Sequence, residues 1–249
     1  MAKTTGLGQK LYVGGYDISG DVGAIQNASS PRDQLVVTGI DSLAMERRNG
    51  VSDGMMNFMA WFNDAAGQAH ASLSPLPTTD RPCLWALGQS IGSVAAGLVA
   101  KQIGYDPDRG ADGSLSETVE MHANGTPLEW LTMLTPGSVT HASAGSDASV
   151  DDGAGTSNGI IAYLQMVSLG SGTVTVVIEE SSDDDVGDSF EAIVTFDAVA
   201  NGSEPTAQRV AVSGAVERYL RITTTGTFTN AVFAVAVRRG TAQDDVDLS

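Results

Sequence analysis

Short apolar runs separated by turn-forming pairs make up most of this chain, and the pattern predicts strands. Met55–Phe62 (MMNFMAWF) puts Met56, Phe58, Ala60 and Phe62 on one face and Met55, Asn57, Met59 and Trp61 on the other. Both faces are largely apolar, which predicts a strand covered on both sides. Leu35–Thr38, Arg81–Leu87, part of Ser93–Tyr105 and Leu115–His122 read as further strands. One helix is predicted over AAGQAHASL, after Asn63-Asp64. There Asp64 can cap free N–H groups, alanines favour helix, and Pro75 stops it.

The later half carries no helix signal. Ile160–Leu169, Thr173–Glu180, Ser189–Phe196, Arg209–Val212, Val216–Thr223 and Ala231–Arg239 are rich in Val, Ile, Thr and aromatics, as strands are. Ala231–Arg239 is almost continuously apolar, which predicts a central strand. Six strands at near-regular spacing predict a β-sandwich. Turn pairs at Asn49-Gly50, Asp53-Gly54, Asp112-Gly113, Asn124-Gly125 and Asn201-Gly202 supply the positive φ values that tight hairpins need. The predicted fold is mainly β: residues 1–140 form a barrel or sandwich with one flanking helix. Residues 141–158 (HASAGSDASVDDGAGTSN), nearly free of large apolar side chains, read as a linker or exposed entry loop. Residues 159–240 form a second sandwich, and 241–249 an acidic tail. The head (AKTTGLGQ) and the tail are polar arms of the kind that a neighbour orders.

Composition narrows the chemistry. Lys plus Arg is 13 and Asp plus Glu 30, a formal charge of −17, which argues against a protein that grips nucleic acid by its phosphates. The first 140 residues carry −6 and the rest −11. Cys83 is the one cysteine, so no intramolecular disulfide or Cys-rich zinc site can form. No apolar run approaches the ~20 residues of a membrane helix, and no apolar segment follows the lysines of the first ten residues as in a signal peptide. The Asn27, Asn124 and Asn201 sequons then read as chance matches.

Candidate chemical motifs are sparse. Gly88-Gln89-Ser90-Ile91-Gly92 is a G-x-S-x-G string, and His122 or His141 with Asp106 would be its triad partners. A Gly/Ser hairpin turn explains it better, because SVAAGLVAKQI after it lacks helical character. His70 has no partner at helical spacing for a metal face. Asp183-Asp184-Asp185 with Asp188 lacks calcium-loop spacing and reads as a solvated hairpin tip. Gly6-Leu7-Gly8 lacks the third glycine of a dinucleotide fingerprint. Arg218, Tyr219 and Arg221 read as the polar dressing of an edge strand. Nothing combines a nucleophile, a base and an oxyanion donor, so the chain reads as a non-enzyme.

LYVGGYDISGDVGAI (Leu11–Ile25), VTGIDSLAMER (Val37–Arg47), DGMMNFMAWF (Asp53–Phe62), AHASLSPLPTTDR (Ala69–Arg81), LVAKQIGYDPDRGADGSL (Leu98–Leu115) and NGTPLEW (Asn124–Trp130) occur in this order. Together they resemble the major tail proteins of long-tailed bacteriophages, especially those of actinobacteria. SGAVERYLRITTTGTFTNAVFAVAVRRG (Ser213–Gly240) resembles the β-sandwich modules appended to such proteins. The resemblance implies a tail tube subunit of the virion, assembled in the host cytoplasm into stacked hexameric rings whose lumen conducts viral DNA without binding it specifically. It implies self-association and contact with tape measure, terminator and distal tail proteins, with no membrane. It brings no catalytic, cofactor or metal residues. The second module would project outward, because a lumen holding six of them would close.

On that reading the arm Met1–Gln9 and the loop Ala44–Gly54 are candidates for contacts between rings. The loop's Glu46, Arg47, Arg48 and Asp53 offer both signs of charge to a complementary neighbour. The lumen surface is expected to be net negative, since each basic contact with phosphate would retard DNA. A carbohydrate- or cell-surface-binding module and a capsid decoration protein are the alternative readings.

Overall fold

The computed structural model describes residues 5–241. The first half runs β1 (Lys10–Val13), β2 (Tyr16–Asp17), β3 (Val22–Ser29), β4 (Arg32–Val36), β5 (Arg47–Ser52), β6 (Met55–Trp61), α1 (Ala69–Leu73), β7 (Arg81–Ala86), β8 (Val94–Arg109), β9 (Leu115–Ala123) and β10 (Glu129–Met133). Short strands β11 (Val139–His141), β12 (Gly145–Ser146) and β13 (Val150–Asp151) follow. The second half runs β14 (Ile160–Ser181), β15 (Glu191–Thr195), β16 (Val199–Ala200), β17 (Thr206–Val212) and β18 (Tyr219–Arg239). The fold is mainly β, as its turn-rich composition predicts.

β14 and β18 form a long antiparallel ribbon, from Ile160↔Arg239 to Ser181↔Tyr219. Four of the predicted strands are therefore two. Gly170–Gly172 and Gly226 fall in the gaps between those predicted strands, but they lie inside continuous strands. Gly172 (φ 78°) and Gly226 (φ 107°) occupy conformations closed to most side chains. A Cβ on Gly172 would lie 2.0 Å from the Thr227 carbonyl oxygen, and one on Gly226 2.4 Å from that of Thr173. The kinked ribbon wraps a core that includes Leu164, Met166, Ile178, Phe196, Ile222 and Phe233.

Alternation along the strands sorts side chains between three cores. In β1, β7 and β8, Leu11, Val13, Cys83, Ala96, Leu98 and Ala100 pack against Met56, Phe58 and Ala60 of β6 and Val119 and Met121 of β9. β8 bends from one layer to the other: it pairs with β7 and β10 in its first half and with β9 in its second. The opposite faces of β1, β7 and β8 turn Tyr12, Leu84, Ala86 and Ala95 into a middle core. Leu131 and Met133 of β10, Ile161 and Tyr163 of β14, and Ala234 and Ala236 of β18 complete it. Residues on both sides of 141–158 thus share one core and one sheet, joined where β10 pairs with β18. Segment 141–158, expected as a linker or entry loop, follows β11 by laying β12 and β13 along β18. The predicted central strand Ala231–Arg239 is paired on both sides, with β14 and with β10 and β11.

The sheet curls around the middle core but does not close into the barrel offered as one form of the first part. The seam is bridged by the buried Gln165: its Oε1 accepts the Gly15 N–H at 2.8 Å, and its Nε2 donates to the Pro82 carbonyl at 3.0 Å. Gly15 (φ 91°) permits this approach, since a Cβ there would lie 2.3 Å from the Thr206 nitrogen.

Three further expectations need correcting. α1 is short, and its N-cap residue Gln68 makes no side-chain cap. The Ala69 N–H donates instead to Asp21 Oδ2 at 3.0 Å, a distant carboxylate doing what Asp64 was expected to do. Only one face of β6 is buried: Met55, Asn57 and Met59 are partly exposed and Trp61 is 48% exposed, because no second layer covers that side. Tyr219 and Arg221 lie on β18, paired with both β13 and β14, so this is no edge strand.

Two substitutions test the middle core. Gln165→Leu leaves the Gly15 N–H and Pro82 carbonyl unpartnered and should cost about 1–3 kcal/mol in urea unfolding. Arg209→Ala strips the buried Glu129 carboxylate of its bidentate partner and should cost about 3–5 kcal/mol in the same assay.

Candidate assembly surfaces

β4 and β5 pair only with each other, in register Val36↔Arg47, Leu35↔Arg48 and Arg32↔Ser52. They form a hairpin outside the main sheet. At its base the Asp53 N–H donates to the Pro31 carbonyl at 2.9 Å, and the Ser30 and Ser52 hydroxyls meet at 2.7 Å. Toward its tip the Val37 N–H donates to the Glu46 carbonyl at 3.0 Å, and the Glu46 N–H to Thr38 Oγ1 at 2.9 Å. Backbone pairing holds the shape, and the side chains point into solvent. Ile40 and Leu43 are fully exposed, with Leu35, Val36, Val37, Met45 and Val51 all more than 40% exposed. Burying an Ile or Leu side chain is worth about 1.5–3 kcal/mol, so this tip forgoes several kcal/mol within one chain.

The predicted contact residues fall on this hairpin. Glu46 closes its tip, Arg47 and Arg48 lie on β5, and Asp53 sits at its base, all of them exposed. Ala44–Gly54 is thus part turn and part strand. The sequence reading picked out the charges and missed the apolar tip. The signal was present in VTGIDSLAME, where large apolar residues occur in a turn segment with no periodicity to bury them. Of the arm Met1–Gln9, residues 1–4 lie outside the described residues. Gly8 and Gln9 are held by their own chain: the Gly8 carbonyl accepts from Gln89 Nε2 at 2.8 Å, and Gln9 Oε1 accepts from Trp85 Nε1 at 3.1 Å. The tail beyond Thr241 also lies outside the described residues.

The structure does not bring the triad candidates together. Ser90 sits in the turn between β7 and β8, where the Ser93 N–H donates to its carbonyl at 3.0 Å. His122 pairs with Lys101, seven residues beyond Val94 and so roughly 23 Å along β8 from that turn. His141 is buried between Thr224 Oγ1 at 2.8 Å and Asp147 Oδ1 at 3.0 Å. Asp106 lies opposite Thr118. In the acidic loop, Asp183 accepts the N–H groups of Val186, Gly187 and Asp188 at 2.8–3.2 Å, so its carboxylate is occupied in shaping the turn. No group of three or more metal-binding side chains occurs among the described residues. Arg218 forms a bidentate pair with Asp151, both contacts at 2.6 Å, which pulls that carboxyl down to about 2. Arg221 pairs with Glu179 at 2.7 Å and stacks on Phe190.

A second polar cluster sits under α1. The Tyr105 hydroxyl donates to Glu117 Oε2 and lies 2.5 Å from His70 Nδ1. With that proton committed to Glu117, the Tyr105 oxygen accepts from His70, which fixes its Nδ1–H form. Glu117 is fully buried and its Oε1 has no partner. Burial raises its pKa above the ordinary carboxylate value. Cys83, also buried, is pushed up to about 12 and is chemically quiet.

No family model matches the sequence, and no curated protein matches it. Among solved structures, the SPP1 Dit protein, titled a paradigm of the hub adsorption apparatus of phages infecting Gram-positive hosts, is similar with a TM-score of 0.32 and 11% identity over 92% of this chain and 98% of that one. Two structures of the phage p2 baseplate in its activated conformation, with strontium and with calcium, give TM-scores of 0.34 and 0.32 and identities of 7% and 8%. Each covers 93% of this chain and 98% of the other.

Glu117 yields a pH test. Its folded pKa lies above its unfolded value, so the folded state holds the extra proton and stability falls as pH rises through that window. Glu117→Gln removes the effect. Its urea midpoint relative to the parent should therefore improve between pH 4.5 and pH 7.5.

Proposed function

We propose that this chain is a structural subunit of a bacteriophage tail, building the tail tube as stacked hexameric rings. The observation that carries the reading is the β4–β5 hairpin: an element with a fully exposed apolar tip and no strand pairing outside itself. A hairpin of this kind is completed only by another molecule. A contact between unlike surfaces of identical copies generates a ring or an open filament, according to whether its rotation closes. The ordered run of tail-protein-like segments from Leu11 to Trp130 supports the ring and the tube in particular.

In this reading the chain makes and breaks no covalent bond. Glu46, Arg47, Arg48 and Asp53 orient the hairpin by charge, and the apolar tip supplies the affinity. The lumen is net negative, so that DNA slides past without counterion release to hold it. Tape measure, terminator and distal tail proteins cap or fill the tube, which belongs to the virion and assembles in the host cytoplasm.

Negative-stain microscopy of the concentrated protein tests this: tubes with sixfold end views are expected. The double variant Ile40→Asp/Leu43→Asp should remain single particles while its unfolding free energy stays within about 0.5 kcal/mol of the parent, because neither side chain is packed. Parent protein that stays monomeric, or that decorates capsids only, would overturn the proposal.

A further inference from the structure

Arg81 opens β7 and is 7% exposed, yet no carboxylate among the described residues meets it. Its Nη1 donates to the Ser72 carbonyl of α1 at 3.0 Å and to Gln102 Oε1 of β8 at 3.4 Å, and its Nη2 to the Val13 carbonyl of β1 at 3.2 Å. All three acceptors are neutral. The guanidinium also lies 5.6 Å from the centre of the Tyr16 ring. Arg209 and Arg239, with side chains 7% and 10% exposed, show the ordinary solution: each meets a carboxylate, of Glu129 and of Asp152. A charge withdrawn from water without a counter-charge is costly, and burial pulls the Arg81 pKa down. The chain has 30 acidic residues against 13 basic ones, so acids are not scarce. This cation is left without one.

Arg81 lines a cavity of about 330 Å³. Its Nε–H has no acceptor among the described residues, and Nε is not sealed off from solvent. Gly14, also in the lining, keeps that edge open: a Cβ there would lie 2.9 Å from Nε and 3.2 Å from Nη2. Tyr16, Pro75, Pro77, Pro82 and Pro205 form further walls. Proline has no N–H, so these prolines present rigid apolar surface and no backbone donor. Asp80 is the one acid in the lining, and it is neutralised by Lys101 Nζ at 2.8 Å.

We infer that this cavity binds a carboxylate carried on a short apolar stem. The carboxylate accepts from the Nε edge of Arg81 and supplies the missing counter-charge, while the stem packs on the proline walls. One guanidinium balances one negative charge, whereas the two charges of a phosphate would stay half compensated beside Asp80. The carboxylate belongs either to a free small acid or to an Asp or Glu side chain of a second copy, and the chemistry of recognition is the same. The site does not rest on the tube reading above.

The test titrates the dilute full-length protein with sodium isobutyrate and follows its urea unfolding midpoint. Sodium chloride and sodium phosphate at equal ionic strength, and neutral isobutyramide, are the comparisons. A saturable rise with isobutyrate alone is expected, half complete at about 1–10 mM. Arg81→Gln removes the cation, and Gly14→Ala keeps it but closes the Nε edge; each should weaken the response at least tenfold. Circular dichroism checks folding of both, and if Arg81→Gln does not fold, Gly14→Ala decides. A rise matched by chloride, phosphate or isobutyramide, or undiminished in the folded variants, overturns the site. Saturating isobutyrate is then added to assembling protein. A higher concentration needed for assembly assigns the site to an acidic side chain of a second copy, and an unchanged one assigns it to a free acid. The unfolding arm reads binding whether or not tubes form, so failure of the tube reading and failure of this site are separate results.

Discussion

Burying the Glu129 carboxylate commits three strands to one arrangement. Glu129 is 1% exposed and lies on β10, where it faces the middle core. Arg209 Nε and Nη2 donate to it at 3.0 and 2.8 Å from β17, and the Tyr163 hydroxyl at 2.6 Å from β14. A charge removed from water is tolerable only when paired and hydrogen-bonded in good geometry, so β14 and β17 must seat against β10 in this register. Tyr163 reaches the site because the facing residue is Gly97, where a Cβ would come within 2.9 Å of its ring. The Gln165 bridge then secures the seam two residues along β14 from Tyr163. The halves of the chain cannot rotate against each other while these contacts persist.

That rigidity gives the projecting hairpin a purpose. A body with three cores along a continuous sheet has few adjustable surfaces, and on the proposed reading adhesion falls to an element that shares no ladder with it. The outer face of β6, with Trp61 at its end, and the surface beside Trp130 also leave apolar side chains exposed. All become intelligible if the chain reaches its final state only among copies.

Much of the strand content was legible because burial imposes alternation. Met56, Phe58 and Ala60 announce β6, and the nearly continuous apolar run of Ala231–Arg239 announces a central strand. Where reading failed, the deciding contact was remote or the residue served two physical purposes. Gly172 and Gly226 fall between predicted strands, and their φ values are positive, but they permit a kink where another backbone passes. Asp21 caps α1 across 48 positions, and Arg209 meets Glu129 across 80, separations that no local pattern encodes. At the candidate site the charges Glu46, Arg47, Arg48 and Asp53 stood out as a mixed-sign cluster. Ile40 and Leu43 did not, because an apolar residue in a turn has no period to betray it.

Because β4 and β5 satisfy their ladder hydrogen bonds with each other, the body loses none of its own pairings when the segment between Pro31 and Asp53 changes. Mutation can therefore lengthen, shorten or rewrite that segment while selection on the scaffold stays silent. Stickiness and foldability become separately heritable traits in one polypeptide, and related lineages could diverge in whom they adhere to long before they diverge in shape.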